Sequence, residues 1–252
     1  MDKISAAAER LARARGGPPL AELDPALRPA SLAEAEAIQN ATFHALGESP
    51  GGWKLGRQGE HLFSAPIPDS RILVEPGEQP IPMPPVRFIE LELALSFPGA
   101  MAPAGAAALT VESLPRLARL AVLLELVQPR FEPDLETGPL DRIAECLGNH
   151  GAVIRTSRAP WSLDMLDAPP PVRLSQDGVV IATREGPHVA APLRPLLEEW
   201  LGRIRREGRG IGAGEVVTLG SLTGMPAIPA GGARYLGEIE GLEPLACVVA
   251  PA

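Results

Sequence analysis

Residues 88–97 read Phe88-Ile89-Glu90-Leu91-Glu92-Leu93-Ala94-Leu95-Ser96-Phe97, large apolar side chains alternating with acidic or small ones. A β-strand sorts such a pattern into two faces, because successive side chains point to opposite sides. Ile89, Leu91, Leu93, Leu95 and Phe97 then make one unbroken apolar face that has to be covered by another layer. Glu90 and Glu92 share the other face with Ala94 and Ser96. Side chains two apart on a strand start roughly 6–7 Å from one another, and at an effective dielectric of about 20 two like charges at that distance repel by about 2–3 kcal/mol. Solvent relieves that repulsion, and a divalent cation relieves it more strongly. Taken alone, the pair fits a solvated polar face as well as a ligand set.

A second segment, Ala121-Val122-Leu123-Leu124-Glu125-Leu126-Val127-Gln128, holds a single acid inside an apolar run. Burying an unpaired carboxylate costs several kcal/mol or drives it neutral, so an ionised Glu125 needs a partner. Arg130 and Arg142 are available for a core ion pair. If the two strands are neighbours, Glu90, Glu92 and Glu125 can instead converge on one ion. An all-oxygen set favours a hard cation such as Mg²⁺, Mn²⁺ or Ca²⁺ over Zn²⁺.

Around these strands the chain reads as a mixed, mostly β core decorated by helices. Residues 1–47 are helical in pattern. Gly16-Gly17-Pro18-Pro19 stops the first helix, Ser31 with Glu34 forms a capping box for the second, and Gly47 ends it. Pro66, Pro68, Pro76, Pro80, Pro82, Pro84 and Pro85 bar a long helix from residues 50–86, which read as loop with short strands, 71–74 among them. This divides the chain into a helical N-terminal region, 1–70, and a β-rich core, 71–252. Farther on, Asp177-Gly178 between alternating runs predicts a hairpin joining 172–174 to 179–183. Pro192 opens a helix with Leu193, Leu196, Leu197, Trp200, Leu201 and Ile204 on one face, stopped by Gly208 and Gly210. Residues 215–219 and 243–249 read as late strands.

Composition narrows the class. The formal net charge of −8 argues against a general nucleic-acid surface. No run of 18 apolar residues provides a membrane span, and residues 1–15 carry charges throughout, unlike a secretory signal. Cys146 and Cys247 lie far apart without a CxxC pattern, which predicts no disulfide framework and a cytoplasmic setting.

Several segments, in order, resemble the 2-keto-4-pentenoate hydratase and 4-oxalocrotonate decarboxylase branch of the fumarylacetoacetate hydrolase superfamily. Gly52-Trp53-Lys54-Leu55-Gly56 resembles its G-[WY]-K-[VIL]-G segment, and Ile89-Glu90-Leu91-Glu92-Leu93-Ala94 its E-x-E-[IL]-A strand. Leu124-Glu125-Leu126-Val127 through Arg130-Phe131 resembles E-[LIV]-x-D-S-R-[FIY], and Ile143-Ala144-Glu145-Cys146-Leu147-Gly148-Asn149 resembles I-A-D-x-x-x-N. Glu199-Trp200-Leu201 resembles the end of a helix closing in W-L, and Gly214-Glu215-Val216-Val217-Thr218-Leu219-Gly220-Ser221 resembles A-G-D-x-[VI]-x-[ST]-G-S.

The resemblance implies an α+β fold whose β-rich core is a sandwich or roll like the family's C-terminal domain. It implies Mg²⁺ or Mn²⁺ on Glu90, Glu92 and Glu125, and a small 2-oxo acid substrate from aromatic-compound catabolism. Chemistry would pass through an enolate stabilised by the metal, leading to hydration of a 2-hydroxydienoate. The alternatives are decarboxylation of a 2-oxo-3-enedioate, acylpyruvate C–C hydrolysis, or a non-catalytic metabolite-binding or partner subunit. A homo-oligomer, or a complex with a related hydratase or decarboxylase subunit, is implied as well. Lys54 matches the family's active-site lysine. Trp53, Gly56, Ser221 and Thr223 fall where substrate would be contacted. The chain also departs from the pattern. The stretch 59–67 lacks the acid of a D-Q-P-x-x-G element, leaving Glu60 or His61 to stand in as general acid or base. Gln128 and Pro129 replace the Asp and Ser of D-S-R, and Glu145 replaces the Asp of A-D.

Overall fold

A computed structural model describes residues 2–58, 61–81, 86–132 and 137–251. Two helices come first, α1 (Lys3–Gly16) and α2 (Leu32–Leu46). Ser31 caps α2 by accepting from the Glu34 N–H at 3.2 Å, but the Glu34 carboxylate turns to the Ala30 N–H and to Lys3. The expected capping box is therefore half formed. Gly47 closes α2 in the left-handed region at φ 66°, where a glycine is unstrained.

Strands β1 (Pro50–Gln58), β2 (His61–Pro68), β3 (Ile72–Val74), β4 (Pro80–Ile81) and β5 (Phe88–Ser96) follow. Short helices α3 (Pro103–Ala107) and α4 (Leu114–Leu117) lead to β6 (Arg119–Val127), α5 (Pro139–Ala144), β7 (Asn149–Thr156) and α6 (Asp164–Asp167). The chain ends with β8 (Val172–Gln176), β9 (Val179–Arg184), α7 (Arg194–Glu207), β10 (Val216–Ser221), β11 (Ala233–Ile239) and β12 (Leu245–Val249). The Asp177-Gly178 hairpin forms as expected, with both residues at positive φ. The last long helix starts at Arg194, two residues after Pro192. Residues 50–68, read as loop with short strands, are two full strands of the larger sheet. Pro66 and Pro68 are tolerated because β2 is an edge strand, where a missing N–H breaks no inner ladder.

Seven strands form one sheet in the order β2-β1-β10-β5-β6-β7-β3, and five form a second, β4-β12-β11-β8-β9. The apolar face of β5 and the Leu120, Val122, Leu124 and Leu126 face of β6 are buried together with Leu174, Tyr235, Ile239, Leu245 and Cys247 of the second sheet. The sheets approach closely at Gly237, where a Cβ would stand 2.8 Å from Leu91 Cδ1 and 3.2 Å from Leu124 Cδ2. A separate apolar cluster joins α1, α2 and α5 to Phe63 and Ala65 of β2 and to Phe131. Cys146 and Cys247 are buried free thiols. Among the described residues no helix is long and apolar enough to cross a membrane.

Candidate metal and substrate site

β5 and β6 pair antiparallel with Glu90 directly opposite Glu125, and Glu92 opposite Leu123. Like charges directly across a ladder repel, so this register is not chosen by the acids. It is fixed by the other face, since a slip of one residue would turn the leucines of the core outward. Glu92 and Glu125 are fully buried and Glu90 is 8% exposed. One oxygen from each lies within 4.8 Å of the others, the one cluster of this kind among the described residues.

Lys54 reaches the cluster from β1, which is separated from β5 by β10. Its Nζ donates to Glu90 Oε2 at 3.2 Å and stands 2.8 Å from Glu125 Oε2, an ion pair lying off hydrogen-bond geometry. Asn149, the first residue of β7, donates Nδ2 to Glu125 Oε1 at 2.9 Å. The partner anticipated for Glu125 is thus a lysine and an amide. Arg130 is paired with Glu145 instead, and Arg142 is exposed.

The electrostatics of the cluster are unbalanced. Counted as ionised, three carboxylates against one ammonium leave two negative charges in a largely buried space that opens only at Glu90 and Lys54, and both oxygens of Glu92 lack any hydrogen-bond partner. Burial raises the pKa of Glu90, with Lys54 opposing and Glu125 adding to the rise. Burial, then the nearby Glu125, lifts that of Glu92 well above the usual carboxylate range. Burial works against the charge on Lys54, but Glu125, Glu90 and Glu92 outweigh it and hold the ammonium on. A divalent cation would offset those charges, and the unpartnered carboxylate oxygens would be hard ligands for it. The residues present therefore fit such an ion.

A cavity of about 310 Å³ opens over Lys54 and Glu90. Its walls are mostly apolar, formed by Phe88, Val127, Pro129, Phe131, Leu147 and Met225, and Glu132, Arg142 and Glu145 are its charged members besides Lys54 and Glu90. Glu145 is buried, accepting from the Gly148 N–H at 2.7 Å and the Arg130 N–H at 3.3 Å. Burial pushes its pKa up to about 7, Arg130 notwithstanding. The fold therefore favours protonated Glu145, and the stability this contributes is lost as pH rises from 4.5 to about 7. Glu145→Gln is expected to remove that part of the slope. Subtracting the melting curves of variant and parent across this range isolates it, and a difference that does not vary with pH would contradict the assignment.

The other residues marked by sequence are placed differently. Trp53 points away from Lys54, as its neighbour on a strand must. It is 1% exposed, donates Nε1 to Glu215 at 2.8 Å and lies between the guanidinium groups of Arg203 and Arg209. Gly56 makes room for the Phe63 ring, 2.7 Å from where its Cβ would be. Ser221 donates to the Gly224 carbonyl and closes a turn, and Thr223 Oγ1 accepts from the Leu91 N–H, tying that turn to β5. His61 pairs with Gln58 at the end of the β1–β2 ladder. None of these five lines the cavity. Glu60 lies outside the described residues. Two contributors carried no assigned role in the sequence. Asn149 sits at the end of the I-A-x-x-x-x-N match, and Glu145 was marked there only as a substitution.

No family model matches the chain, and no curated protein does. Solved structures do. 4-Oxalocrotonate decarboxylase from Pseudomonas putida G7, complexed with magnesium and adipate, superposes with a TM-score of 0.73 at 17% identity, covering 97% of this chain and 96% of that one. The fold is that of the fumarylacetoacetate hydrolase superfamily. Fumarylpyruvate hydrolase from Pseudomonas aeruginosa, in complex with Mn²⁺ and pyruvate, gives 0.51 at 18% identity over 80% and 89% of the two chains. For 2-hydroxyhepta-2,4-diene-1,7-dioate isomerase from Mycobacterium marinum the values are 0.52, 14%, 79% and 74%. The fumarylacetoacetate hydrolase fold thus extends over nearly the whole chain.

Proposed function

We propose that this protein is a divalent-metal-dependent lyase that releases CO₂ from a short 2-oxo-3-enedioate. The observation that carries the reading is a buried cluster of three carboxylates with the Lys54 ammonium, reached through Glu90 and Lys54 from an apolar cavity that also holds Arg142. A cation held by Glu90, Glu92 and Glu125 would act as a Lewis acid toward the oxygens of a 2-oxo acid. Lys54 keeps its proton and can hold a substrate carboxylate or return a proton to carbon once CO₂ has left. Arg142 is exposed and has no carboxylate within 4.0 Å among the described residues, so its guanidinium can take a second carboxylate at the far end of the substrate. The P. putida decarboxylase, aligned over nearly its full length and complexed with a dicarboxylate, supports the same reading.

Hydration of a 2-hydroxydienoate is the second reading, and Glu145 favours it. A carboxyl titrating near neutrality in the same cavity can take a proton from water. Assays with Mg²⁺ on an oxo-enedioate and on a dienoate separate the two. The enedioate is expected to release CO₂, and Arg142→Gln to raise its KM by about tenfold while leaving a monocarboxylate analogue unaffected. Water addition to the dienoate without turnover of the enedioate would overturn the first reading. Failure of both substrates with Mg²⁺ and Mn²⁺ would overturn both.

A further inference from the structure

A second cavity, of about 390 Å³, opens where the C-terminal end of α1, the end of α2, Arg71 and the start of β7 meet. Its charged lining is Arg13, Arg15, Glu48, Arg71 and His150. Arg13 is taken up by Glu9 at 3.3 Å. Arg15 and Arg71 have no carboxylate within 4.0 Å among the described residues. Arg15 donates to the Asn149 carbonyl at 2.9 Å and stacks over Phe43. Arg71 contacts His150, its Nη1 standing 3.3 Å from Nε2.

That contact fixes the histidine. A guanidinium only donates, so His150 Nε2 must accept, and the ring proton sits on Nδ1. The ring stays neutral because burial, then Arg130, Arg71 and Arg15, press its pKa down to about 3. His150 is 5% exposed, and its Nδ1 is buried without a partner. That Nδ1–H is closed off from the cavity, whereas Arg15 and Arg71 line it, neither within 4.0 Å of a carboxylate among the described residues. The single acid lining the cavity, Glu48, is engaged by Ser70 at 2.7 Å.

We propose that this cavity is an oxyanion site, taking a phosphate group between Arg15 and Arg71, with neutral His150 holding Arg71 in place. Two guanidinium groups brought from α1 and from the turn after β2 offer several N–H donors to one oxyanion. The site is separate from the acidic cluster, though Asn149 touches both, through its carbonyl to Arg15 and its amide to Glu125.

The test is inorganic phosphate titrated into the full-length protein without added divalent cations, at ionic strength held constant with chloride. Melting temperature and calorimetric heat are read together. The parent is expected to show a saturable rise in melting temperature. Arg71→Gln, which removes a half-buried side chain contacting His150, should shift the midpoint by at least about tenfold. Arg142→Gln, at the other cavity, should leave the midpoint in place. The ring ¹⁵N resonance of His150 Nε2, which faces Arg71, should move with the same midpoint, a readout that does not depend on a variant. A rise matched by chloride alone, or a midpoint unchanged in Arg71→Gln, would overturn the proposal.

Discussion

Glu92→Gln is expected to abolish metal-dependent turnover while leaving the metal-free protein at least as stable as the parent. The two effects separate because of where the carboxylate sits. It is fully buried, neither oxygen has a hydrogen-bond partner, and burial and Glu125 already push it toward its neutral form. A neutral isostere of the same shape removes a charge that the fold gains nothing from holding. It also removes one of three hard ligands. Turnover should fall by about three orders of magnitude, roughly 4 kcal/mol at the transition state. Melting curves with and without millimolar Mg²⁺ supply the second half of the test. The parent should gain stability from the ion by mass action, and the variant should not. A variant that still gains as much from Mg²⁺, or that unfolds well below the metal-free parent, would remove Glu92 from the site.

The second large effect lies away from the chemistry. Arg203 of α7 is fully buried, yet it joins four segments of the chain. Its guanidinium donates to Glu207 at 2.8 Å, to Gln39 at 2.9 Å, to Asn40 at 3.0 Å and to the carbonyl of Ser64, and it lies 4.6 Å over the Trp53 ring. Truncation to alanine leaves the buried Gln39 and the Ser64 carbonyl without a donor and opens a void beside Trp53. Breaking such a network by removing one member costs about 3–5 kcal/mol. Arg203→Lys should recover little of it, because an ammonium cannot reproduce a planar fork stacked on an aromatic ring. Urea denaturation reads the loss directly, and a cost under about 1 kcal/mol would show that these contacts are incidental.

How much of this was legible in the sequence depended on whether a local rule or a distant neighbour set the residue. The β5 pattern and the lone acid of β6 follow from alternation, which is local, and their convergence needed only that the two strands be neighbours. Lys54 carries no local signal and was reached through the G-W-K-x-G resemblance. Trp53, beside it, was assigned to substrate. The strand's own alternation turns it the other way, into the packing around Arg203. β2 was obscured by Pro66 and Pro68, which argue against a strand unless it is known to lie at an edge. β11 was obscured by Gly237, a residue that weakens strand propensity and is there because Leu91 and Leu124 leave no space for a side chain. The role of Asn149 depends on the β6–β7 pairing that sets it beside Glu125, and no spacing in the sequence encodes that.

The shared use of β5 and β6 has a consequence for how this protein could acquire new substrates. The acids are held from behind, by leucines locked into the second sheet, whereas much of the cavity wall comes from Pro129, Phe131, Leu147 and Met225, outside those strands. Changing Leu147 or Met225 alters which molecules are admitted without moving a carboxylate. Under the proposed function, selectivity can therefore drift, or be engineered, while the acidic cluster is inherited intact.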